Sequence, residues 1–368
     1  MIQTVRIAIV GGGLAGLYAA YLLEQKGIHD YVVLEAREYW GGRITTTPSS
    51  TESSALDRFD LGPTWFWPAY QPQLDRLIQN LGLERFAQHE TGSMLVERTP
   101  HGAPERMPGY TYAPPSMRLI GGMSALIDAL QRPLPPHKLL LNHRVRRMRS
   151  EGQHVELDAE AAPQTLTFRV ESLLLAVPPR LAATTIDFLP PLPEPLMQAW
   201  CNTATWMAPH AKYVAVHDQP FWRAQGLSGE ARSACGPLGE IHDASMPGGS
   251  AALFGFFALP AAVRKGIPEE TLRMHCRAQF ARLFGEQAAT PRADFIKDWA
   301  ADPWTATEAD QNEVSQHGLA PQSSAAEDPW RGRLTGIASE WSPQFPGYVA
   351  GAIEAAALGV DKLLRQTP

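Results

Sequence analysis

The chain has 368 residues, a net charge of −6, 44% hydrophobic residues and 19% charged residues. This length and apolar content allow two domains, and the lack of long like-charge blocks argues against nucleic acid or an anionic membrane as the main partner. The three cysteines, Cys201, Cys235 and Cys276, are far apart and odd in number, which argues against a disulfide framework or a zinc site.

The first elements predicted along the chain form a strand–helix–strand unit. A short buried strand at Arg6–Val10 runs into the glycine-rich segment Gly11–Gly16. The residues that follow have one broad apolar helical face, and Gly27 is typical of a helix C-cap. Tyr31–Ala36 predicts a second buried strand, so the two strands are expected to lie parallel in a βαβ unit.

Further elements alternate with polar and proline-rich segments. Residues 45–56 predict a surface loop or a hairpin tip, and the prolines near 133–136 and 190–195 are typical of crossings between domains. Residues 138–176 are rich in β-strand patterns. Additional helices are predicted at 73–81, 124–131, 269–284 and 349–364, and additional strands at 212–216, 251–257 and 334–338.

Gly11, Gly13 and Gly16 form a G-x-G-x-x-G motif that follows a strand and opens a helix. The first glycine allows a tight turn, the second lets the backbone approach a pyrophosphate, and the third allows close helix–strand packing. The helix N-terminus offers N–H groups and a positive dipole end to the phosphates. Glu35, at the end of the second strand, can accept hydrogen bonds from a ribose, which disfavours NADP. The motif alone does not separate NAD from FAD.

The residues just beyond the second strand make that distinction. Gly41 and Gly42 let the chain pass close to a cofactor, and Arg43 can pair with pyrophosphate oxygens as a fork.

Together these segments resemble the N-terminal FAD signature of the flavin-containing amine oxidases, the monoamine oxidase group. The signature reads IAIVGGGLAGLYAAYLLEQKG followed by VVLEAREYWGGRI. Later segments are similar to that family in the same order. They are FDLGPTW at 59–65, RLIGGMSALIDAL at 118–130, LLLAVPPR at 173–180 and GIASEWSPQFPGYVAGAIEAA at 336–357.

The resemblance implies an α/β fold: a Rossmann-like FAD-binding domain of the amine oxidase type with an inserted α+β substrate domain. The FAD-binding domain would comprise residues 1–78, 119–190 and 331–368. The substrate domain would comprise residues 79–118 and 191–330. No apolar run approaches the roughly 20 residues that span a bilayer, so we expect a cytoplasmic protein without a membrane partner.

The resemblance also implies which residues contact FAD. In it, the segment around Gly62 lines the flavin, Val145 lies on the adenine side, Glu340 contacts the cofactor, and the backbone near Val349 approaches the flavin ring. Family members with covalent flavin carry a cysteine after the tryptophan that Trp299 matches; this chain has none there, so we expect non-covalent FAD. The cofactor-binding candidates are Gly11, Gly13, Ala15, Gly16, Glu35, Ala36, Arg37, Gly42, Arg43, Gly62, Pro63, Thr64, Val145, Glu340 and Val349.

Two residues are implied in catalysis, Lys212 and Tyr348. Lys212 matches the family's flavin-facing lysine, which holds a water against flavin N5 and assists oxygen reduction; the alternative is a lysine extending from a strand end. Tyr348 matches one wall of the aromatic cage in front of the flavin, and the alternative is a core tyrosine. The segment after Trp299 lacks the glycine pair and the second cage aromatic that the family usually has. Trp304 is left as an open candidate for the second wall of the cage.

The predicted activity is therefore an FAD-dependent oxidation of a small amine. Hydride passes from the C–H beside nitrogen to flavin N5, giving an imine, and oxygen returns the flavin to its oxidised form with release of hydrogen peroxide. Open alternatives are a related FAD dehydrogenase or desaturase, an amino-acid oxidase that uses Arg180 or Arg223 for a carboxylate, and a non-catalytic flavoprotein. No metal spacing is present, and the sequence indicates no oligomeric state.

Overall fold

The computed structural model describes residues 2–48, 55–312 and 318–366, so residues 49–54 of the predicted polar loop lie outside the described residues. The strands are, in chain order, β1 (Ile2–Thr4), β2 (Ile7–Val10), β3 (Tyr31–Leu34), β4 (Arg85–Ala87), β5 (Ser93–Glu97), β6 (Glu105–Pro108), β7 (Met117–Leu119), β8 (Leu139–Leu140), β9 (Arg144–Glu151), β10 (His154–Ala161), β11 (Gln164–Val170), β12 (Ser172–Leu175), β13 (Asp187–Leu189), β14 (Ala211–His217), β15 (Leu227–Ser233), β16 (Leu238–Asp243), β17 (Ala251–Phe257), β18 (Ala293–Asp298) and β19 (Leu334–Gly336). The α-helices are α1 (Leu14–Gln25), α2 (Pro72–Asn80), α3 (Ser124–Gln131), α4 (Pro179–Thr185), α5 (Glu194–Cys201), α6 (Phe221–Ala224), α7 (Ala261–Arg264), α8 (Glu269–Phe284), α9 (Glu308–Asn312) and α10 (Val349–Gln366).

A parallel sheet with the order β19-β12-β2-β3-β8 forms the centre of the part of the fold that contains the glycine-rich segment. The predicted parallel pairing of the first two strands is confirmed. Successive residues of β2 point to opposite faces. Ile7 and Ile9 pack in the cluster of α1, α3 and α10, whereas Ala8 and Val10 pack against a second sheet. Both faces are covered, as is usual for a parallel sheet.

Helix α1 ends where the sequence predicts. Gly27 follows the C-cap residue Lys26 and has φ +72°. Its N–H donates to the Glu24 carbonyl (3.0 Å), and the Ile28 N–H donates to the Leu23 carbonyl (2.9 Å). These two bonds satisfy carbonyls that the last helical turn leaves without partners.

The second sheet has the order β1-β11-β10-β9-β13 and covers the other face of the parallel sheet. Trp200 and Trp330, which the sequence assigns to the substrate domain, also pack in this core. The division into two domains therefore stays a prediction. Across the described ranges, no helix has the length and apolar character that crossing a membrane requires.

The third sheet, β18-β14-β17-β16-β15-β5-β6, carries the other half of the site. Its central strand β14 is buried along its whole length, and its two faces meet different partners. Tyr213 packs against Phe280 of α8 at 5.3 Å between ring centroids. Val214 faces the opposite side, toward Phe59 and Phe254. Lys212 shares the face of Val214, because residues two apart on a strand point the same way.

Candidate active site

One cavity of about 770 Å³ brings most of the predicted site residues together. This volume lies within the range of small-molecule sites, roughly 300–1,000 Å³. Gly16, Lys212 and Glu340 do not line it, and each contacts a residue that does. The predicted residues on its wall are Gly11, Gly13, Ala15, Glu35, Ala36, Arg37, Gly42, Arg43, Gly62, Pro63, Thr64, Val145, Tyr348 and Val349.

The glycine-rich turn brings the N-terminus of α1 to the cavity. A Cβ at Gly16 would lie 1.9 Å from the Gly11 carbonyl oxygen, so only glycine allows this approach of helix and strand. A Cβ at Gly13 would instead meet nothing closer than 3.7 Å, because Gly13 borders the cavity. The first turn of α1 contains no acidic residue, so its positive dipole end is available to an anion.

Glu35 is held in a fixed position on the same wall. Its carboxylate accepts hydrogen bonds from the Gly12 N–H (2.6 Å) and the Arg37 N–H (2.8 Å), and the residue is 6% exposed. The His143 N–H donates to the Glu35 carbonyl at 2.8 Å, which places Val145, two residues further on, at this end of the cavity. Each carboxylate oxygen keeps a lone pair that a ribose hydroxyl can use.

The segment after Trp299 lies at this Glu35 end of the cavity. Arg37 donates to Asp302 (2.9 Å) and to Thr305 (3.1 Å). The ring of Trp304 lies 4.7 Å from the Arg144 guanidinium, beside Val145. Trp304 therefore borders the Glu35 end of the cavity, which argues against it as the missing wall of an aromatic cage.

Arg43 is engaged by a carboxylate within the chain. Its guanidinium donates to both oxygens of Glu340 (2.5 and 3.0 Å) and to Ser339 Oγ (3.1 Å). Arg43 lines the cavity, whereas the buried Glu340 reaches it only through Arg43. The pairing of Arg43 with a pyrophosphate, and the direct contact of Glu340 with the cofactor, stay predictions.

These features fit a bound dinucleotide. The wall offers a helix N-terminus without a side-chain cap, a carboxylate at the end of the second strand, and close glycine backbones at Gly13 and Gly42. The N-terminus of α10 also meets the cavity, at Val349, and its first turn contains no acidic residue either. Two positive helix ends therefore border one cavity.

Lys212 lies immediately behind the wall, and it is 1% exposed. Its ammonium donates to Thr64 Oγ1 (2.5 Å) and to the Gly62 carbonyl (3.1 Å), and both partners line the cavity. The ammonium also lies 4.0 Å from the Phe254 ring centroid and 5.5 Å from that of Phe256. The predicted lysine and the predicted Gly62–Thr64 segment are thus in direct contact.

Two further charged groups share this buried region, Asp60 and Arg118. Asp60 Oδ1 accepts from the Met123 N–H at 2.7 Å, and the Arg118 guanidinium donates to the carbonyls of Ala244 (2.8 Å) and Ser245 (3.1 Å). Burial lowers the pKa of Lys212 and raises that of Asp60. The opposite charge of Asp60 partly restores the pKa of the lysine. When ionised, the three side chains carry a net charge of +1 (one carboxylate and two cations).

An aromatic wall borders the part of the cavity near Lys212 and Tyr348. The sequence analysis missed most of it. The ring centroids of Trp206 and His210 are 5.1 Å apart in a tilted arrangement, and the His210 ring lies 6.4 Å from that of Phe256. Trp65 contacts Phe254 at 5.4 Å. The cavity is lined by Trp65, Trp206, His210 and Phe256, whereas Phe254 lies behind them.

The two arginines considered for a substrate carboxylate are engaged elsewhere. Arg180 donates to Asp310 at 2.8 Å, and Arg223 makes a two-point contact with Asp243 (2.8 and 2.9 Å). Neither arginine lines the cavity. None of the three cysteines lines it either; only Cys276 is fully buried.

Comparison with known proteins identifies the family. A family model described as "Flavin containing amine oxidoreductase" matches residues 98–364, and one described as "NAD(P)-binding Rossmann-like domain" matches residues 9–81. "Probable flavin-containing monoamine oxidase A" of Dictyostelium discoideum is 24% identical over 460 residues, covering 95% of each chain. That alignment is longer than the 368 residues here, so the relative has segments that this chain lacks. "Putrescine oxidase" of Kocuria rosea is 30% identical over 198 residues, 51% of this chain and 41% of the relative.

Solved structures confirm the predicted fold. A putrescine oxidase matches all of both chains with a TM-score of 0.80 at 19% identity. The cyclohexylamine oxidase from Brevibacterium oxydans IH-35A gives 0.79 at 17% identity, with 98% of this chain and 99% of that chain covered. The predicted oxidoreductase class is confirmed as well, because the family model spans most of the sequence. The chain belongs to the flavin-containing amine oxidoreductase family.

Proposed function

We propose that the chain is an FAD-dependent oxidase of small amines, with oxygen as electron acceptor. The observation that carries the proposal is the position of Lys212. Its ammonium is buried, is bonded to Thr64 and Gly62 on the cavity wall, and belongs to a group of charges with a net positive charge. When bound, FAD supplies N5 as the hydride acceptor and passes two electrons to oxygen, giving hydrogen peroxide.

The two ends of the cavity bind different parts of the cofactor. The N-terminus of α1, Gly13 and Glu35 hold the nucleotide, with Val145 on the adenine side. The Gly62–Thr64 segment and the N-terminus of α10 border the flavin. This arrangement is supported by the common wall that these residues form and by the direct contact between Thr64 and Lys212.

The aromatic wall acts on the amine. An alkylamine with a pKa near 10 must lose a proton before hydride transfer, at a cost of roughly 4 kcal/mol at pH 7. Tyr348, Phe256 and Trp206 offer ring surface and exclude water, which lowers the pKa of the amine and orients its carbon. Trp206 shares a small adjoining crevice with Gly347, next to Tyr348, so we assign it as a second aromatic wall.

Lys212 acts on the negative charge that develops after the amine is oxidised. A fixed positive charge in a buried site stabilises a nearby developing anion far more than a solvated charge does. Its ammonium is bonded to Thr64 and Gly62, so its charge is held directly behind the wall of the cavity.

Non-covalent attachment of FAD is part of the proposal. A covalent link through cysteine would need a thiol on the cavity wall, and none of the three lies there. Acid precipitation of the yellow protein should therefore leave the flavin in the supernatant. Colour retained in the pellet would show a covalent link.

The decisive experiment follows the visible spectrum anaerobically while primary amines, polyamines and amino acids are added in turn. Bleaching by an amine, followed by peroxide when air returns, is the expected result. Bleaching without peroxide would favour a dehydrogenase that uses another acceptor. A flavin spectrum that no compound bleaches would favour a non-catalytic flavoprotein.

A further inference from the structure

One part of the aromatic wall is a short turn at residues 205–210. Three residues of this turn line the cavity: Trp206, Met207 and His210. Within the turn, the Ala208 N–H donates to the Thr205 carbonyl (2.9 Å), and the His210 N–H donates to the Met207 carbonyl (3.1 Å). These local bonds shape the turn, but its position on the cavity wall must be set by contacts with other segments.

Two hydrogen bonds from distant residues fix the two ends of this turn. The Trp299 N–H donates to the His210 carbonyl at 3.0 Å. At the other end, the Thr205 N–H donates to Asp310 Oδ1 at 3.1 Å, although the two residues are 105 positions apart. Both supports belong to the segment that begins at Trp299, where the chain lacks the glycine pair and the cage aromatic that are usual in the family.

Asp310 is 2% exposed, and its two oxygens bind different partners. Oδ2 accepts from the N–H (2.9 Å) and the hydroxyl (2.7 Å) of Thr307, which forms a capping box at the start of α9. Oδ1 accepts from the Thr205 N–H and from the Arg180 guanidinium (2.8 Å). A capping box needs one carboxylate oxygen and no burial, so helix capping does not explain the bonds of Oδ1.

Arg180 neutralises this carboxylate and also bonds to the chain just before the turn. Its Nε donates to the Cys201 carbonyl at 2.8 Å, at the end of α5. The side chains of Arg180 and Asp310 are 4% and 1% exposed. A buried ion pair contributes little net stability, because the cost of desolvation offsets the attraction. What this pair provides is a fixed position for the Thr205 N–H.

We propose that Asp310, held by Arg180, is a positioning residue that keeps the indole of Trp206 against the substrate. Trp206 follows Thr205 directly, so a shift of the Thr205 backbone moves the indole. This inference rests on the proposed amine oxidase function. A displaced indole would admit water beside the amine, and the pKa of the bound amine would rise toward its value in solution. Because the amine must lose a proton before hydride transfer, flavin reduction would then need a higher pH.

The test measures the rate of flavin reduction by a saturating primary amine, anaerobically and across pH, in variants without an unpaired buried charge. Asp310→Ala combined with Arg180→Gln removes the acceptor of the Thr205 N–H. The midpoint of the pH profile should rise by about one unit, which lowers the neutral fraction of the amine at pH 7 about tenfold. Asp310→Asn combined with Arg180→Gln keeps an oxygen acceptor and should restore most of the wild-type profile.

Trp206→Leu distinguishes a positioning role from a general structural one. Alone, it should raise the midpoint by about the same amount. In this background, Asp310→Ala with Arg180→Gln should add no further shift, because changes that act through one contact are not additive. Additive shifts, or an unchanged midpoint in the Asp310→Ala and Arg180→Gln variant, would overturn the inference.

Thr307→Val is a milder variant that decides the question if the double variant does not retain flavin. It removes one hydrogen bond to Asp310 and leaves the ion pair in place, so the midpoint should rise by a smaller amount; an unchanged midpoint would count against the inference. The matched control is Asp158→Ala with Arg149→Gln. This ion pair lies outside the cavity, its carboxylate also accepts from a threonine hydroxyl (Thr167, 2.9 Å), and its removal should keep the wild-type midpoint.

The outcomes separate this inference from the proposed function. If amines reduce the wild-type flavin but the pH profiles of the variants coincide with that of the wild type, the positioning role is wrong and the amine oxidase proposal stands. If no amine reduces the wild-type flavin, the proposed function is wrong and the positioning role falls with it.

Discussion

Lys212 and Asp60 form a buried pair of opposite charges whose protonation states depend on each other. Burial favours the neutral form of both groups, and the attraction between them favours the charged form. Arg118 adds a second cation that lowers the pKa of the lysine and favours the ionised carboxylate. The charge of Lys212 is thus adjustable by its neighbours.

Replacing Lys212 with methionine keeps most of the side-chain volume and removes the charge. We expect reoxidation of the reduced flavin by oxygen to slow by roughly 10²-fold, as for other fixed charges aimed at a developing anion. Flavin binding should change far less. Stopped-flow mixing of the reduced protein with oxygen measures this rate.

Lys297→Met is the matched control for that change. Lys297 lies opposite Lys212 on β18, and its ammonium is bonded to Asp302 at 2.7 Å. The control should keep the oxygen reaction. Unchanged reoxidation in the Lys212→Met variant would exclude this lysine from the mechanism.

Asp60→Asn should move the pH dependence of the oxygen reaction. The pKa of Lys212 is already below its ordinary value, so its charge is lost as pH rises through that lowered pKa. Removing the carboxylate lowers the pKa further, by about one unit or more, and the reoxidation rate should therefore fall at a lower pH than in the wild type. Asparagine can still accept the hydrogen bond from the Met123 N–H.

Reoxidation rates measured across pH in the wild type, Asp60→Asn and Lys212→Met test this effect. The methionine variant should lack the transition altogether. A midpoint that Asp60→Asn leaves in place, or moves to higher pH, would contradict the electrostatic coupling of Asp60 and Lys212.

Among the elements, β2, the glycine turn and α1 carry the strictest packing requirement. A Gly16→Ala change would bring its Cβ to 1.9 Å from the Gly11 carbonyl oxygen, so the N-terminus of α1 must move away from β2. We expect a loss of about 1–3 kcal/mol in stability and a large loss of FAD affinity. Flavin content after purification and the free energy of unfolding measure the two effects.

Gly27→Ala, at the other end of the same helix, is the matched control. A Cβ there would meet nothing within 4 Å, so the cost is limited to the left-handed backbone at φ +72°. That cost is about 1–2 kcal/mol, and FAD affinity should be kept. Equal loss of flavin in both variants would mean that α1 acts through stability alone.

The same elements indicate how far the sequence predicts this structure. The predicted limits of α3, α8 and β17 agree with the structure residue for residue, because glycine or proline lies close to both ends of each segment. Strand β16 was missed, since Pro237 and Gly239 interrupt its pattern and Glu240 and His242 occupy positions that a core strand would fill with apolar residues. The ion pair of Glu240 with Arg232 was missed with it.

The part of the cavity wall between Gly11 and Arg43 could be predicted because its residues lie within one short stretch of sequence and its glycine turn is required by backbone geometry. The aromatic wall could not be predicted in this way. Trp206 and His210 lie in a segment without regular structure, and Phe256 joins them only through the pairing of β14 with β17. Contacts of this kind depend on tertiary packing, which a local pattern does not encode.

At the scale of the whole molecule, the cavity lies where all three large sheets meet. Its wall runs from Val10 on β2 to Ala352 on α10 and includes Val145 on β9 and Phe256 on β17. A ligand in this cavity therefore contacts both ends of the chain and the segments between them. A ligand that binds the folded state but not the unfolded state should therefore stabilise the entire fold.

Removal of FAD should consequently lower Tm, and its return should restore it. At a free FAD concentration 100-fold above Kd, the stabilisation is about 2.7 kcal/mol. Glu35→Gln should reduce the FAD-induced shift, because the amide lacks the charge that accepts from the Gly12 N–H and that we propose to accept from ribose hydroxyls. Comparing the shift upon FAD addition, rather than Tm itself, separates cofactor affinity from the stability of the apoprotein. Glu171→Gln is the control, because Glu171 is an exposed partner of Arg6 outside the cavity, and it should keep the full shift. A full shift in Glu35→Gln as well would remove Glu35 from the cofactor site.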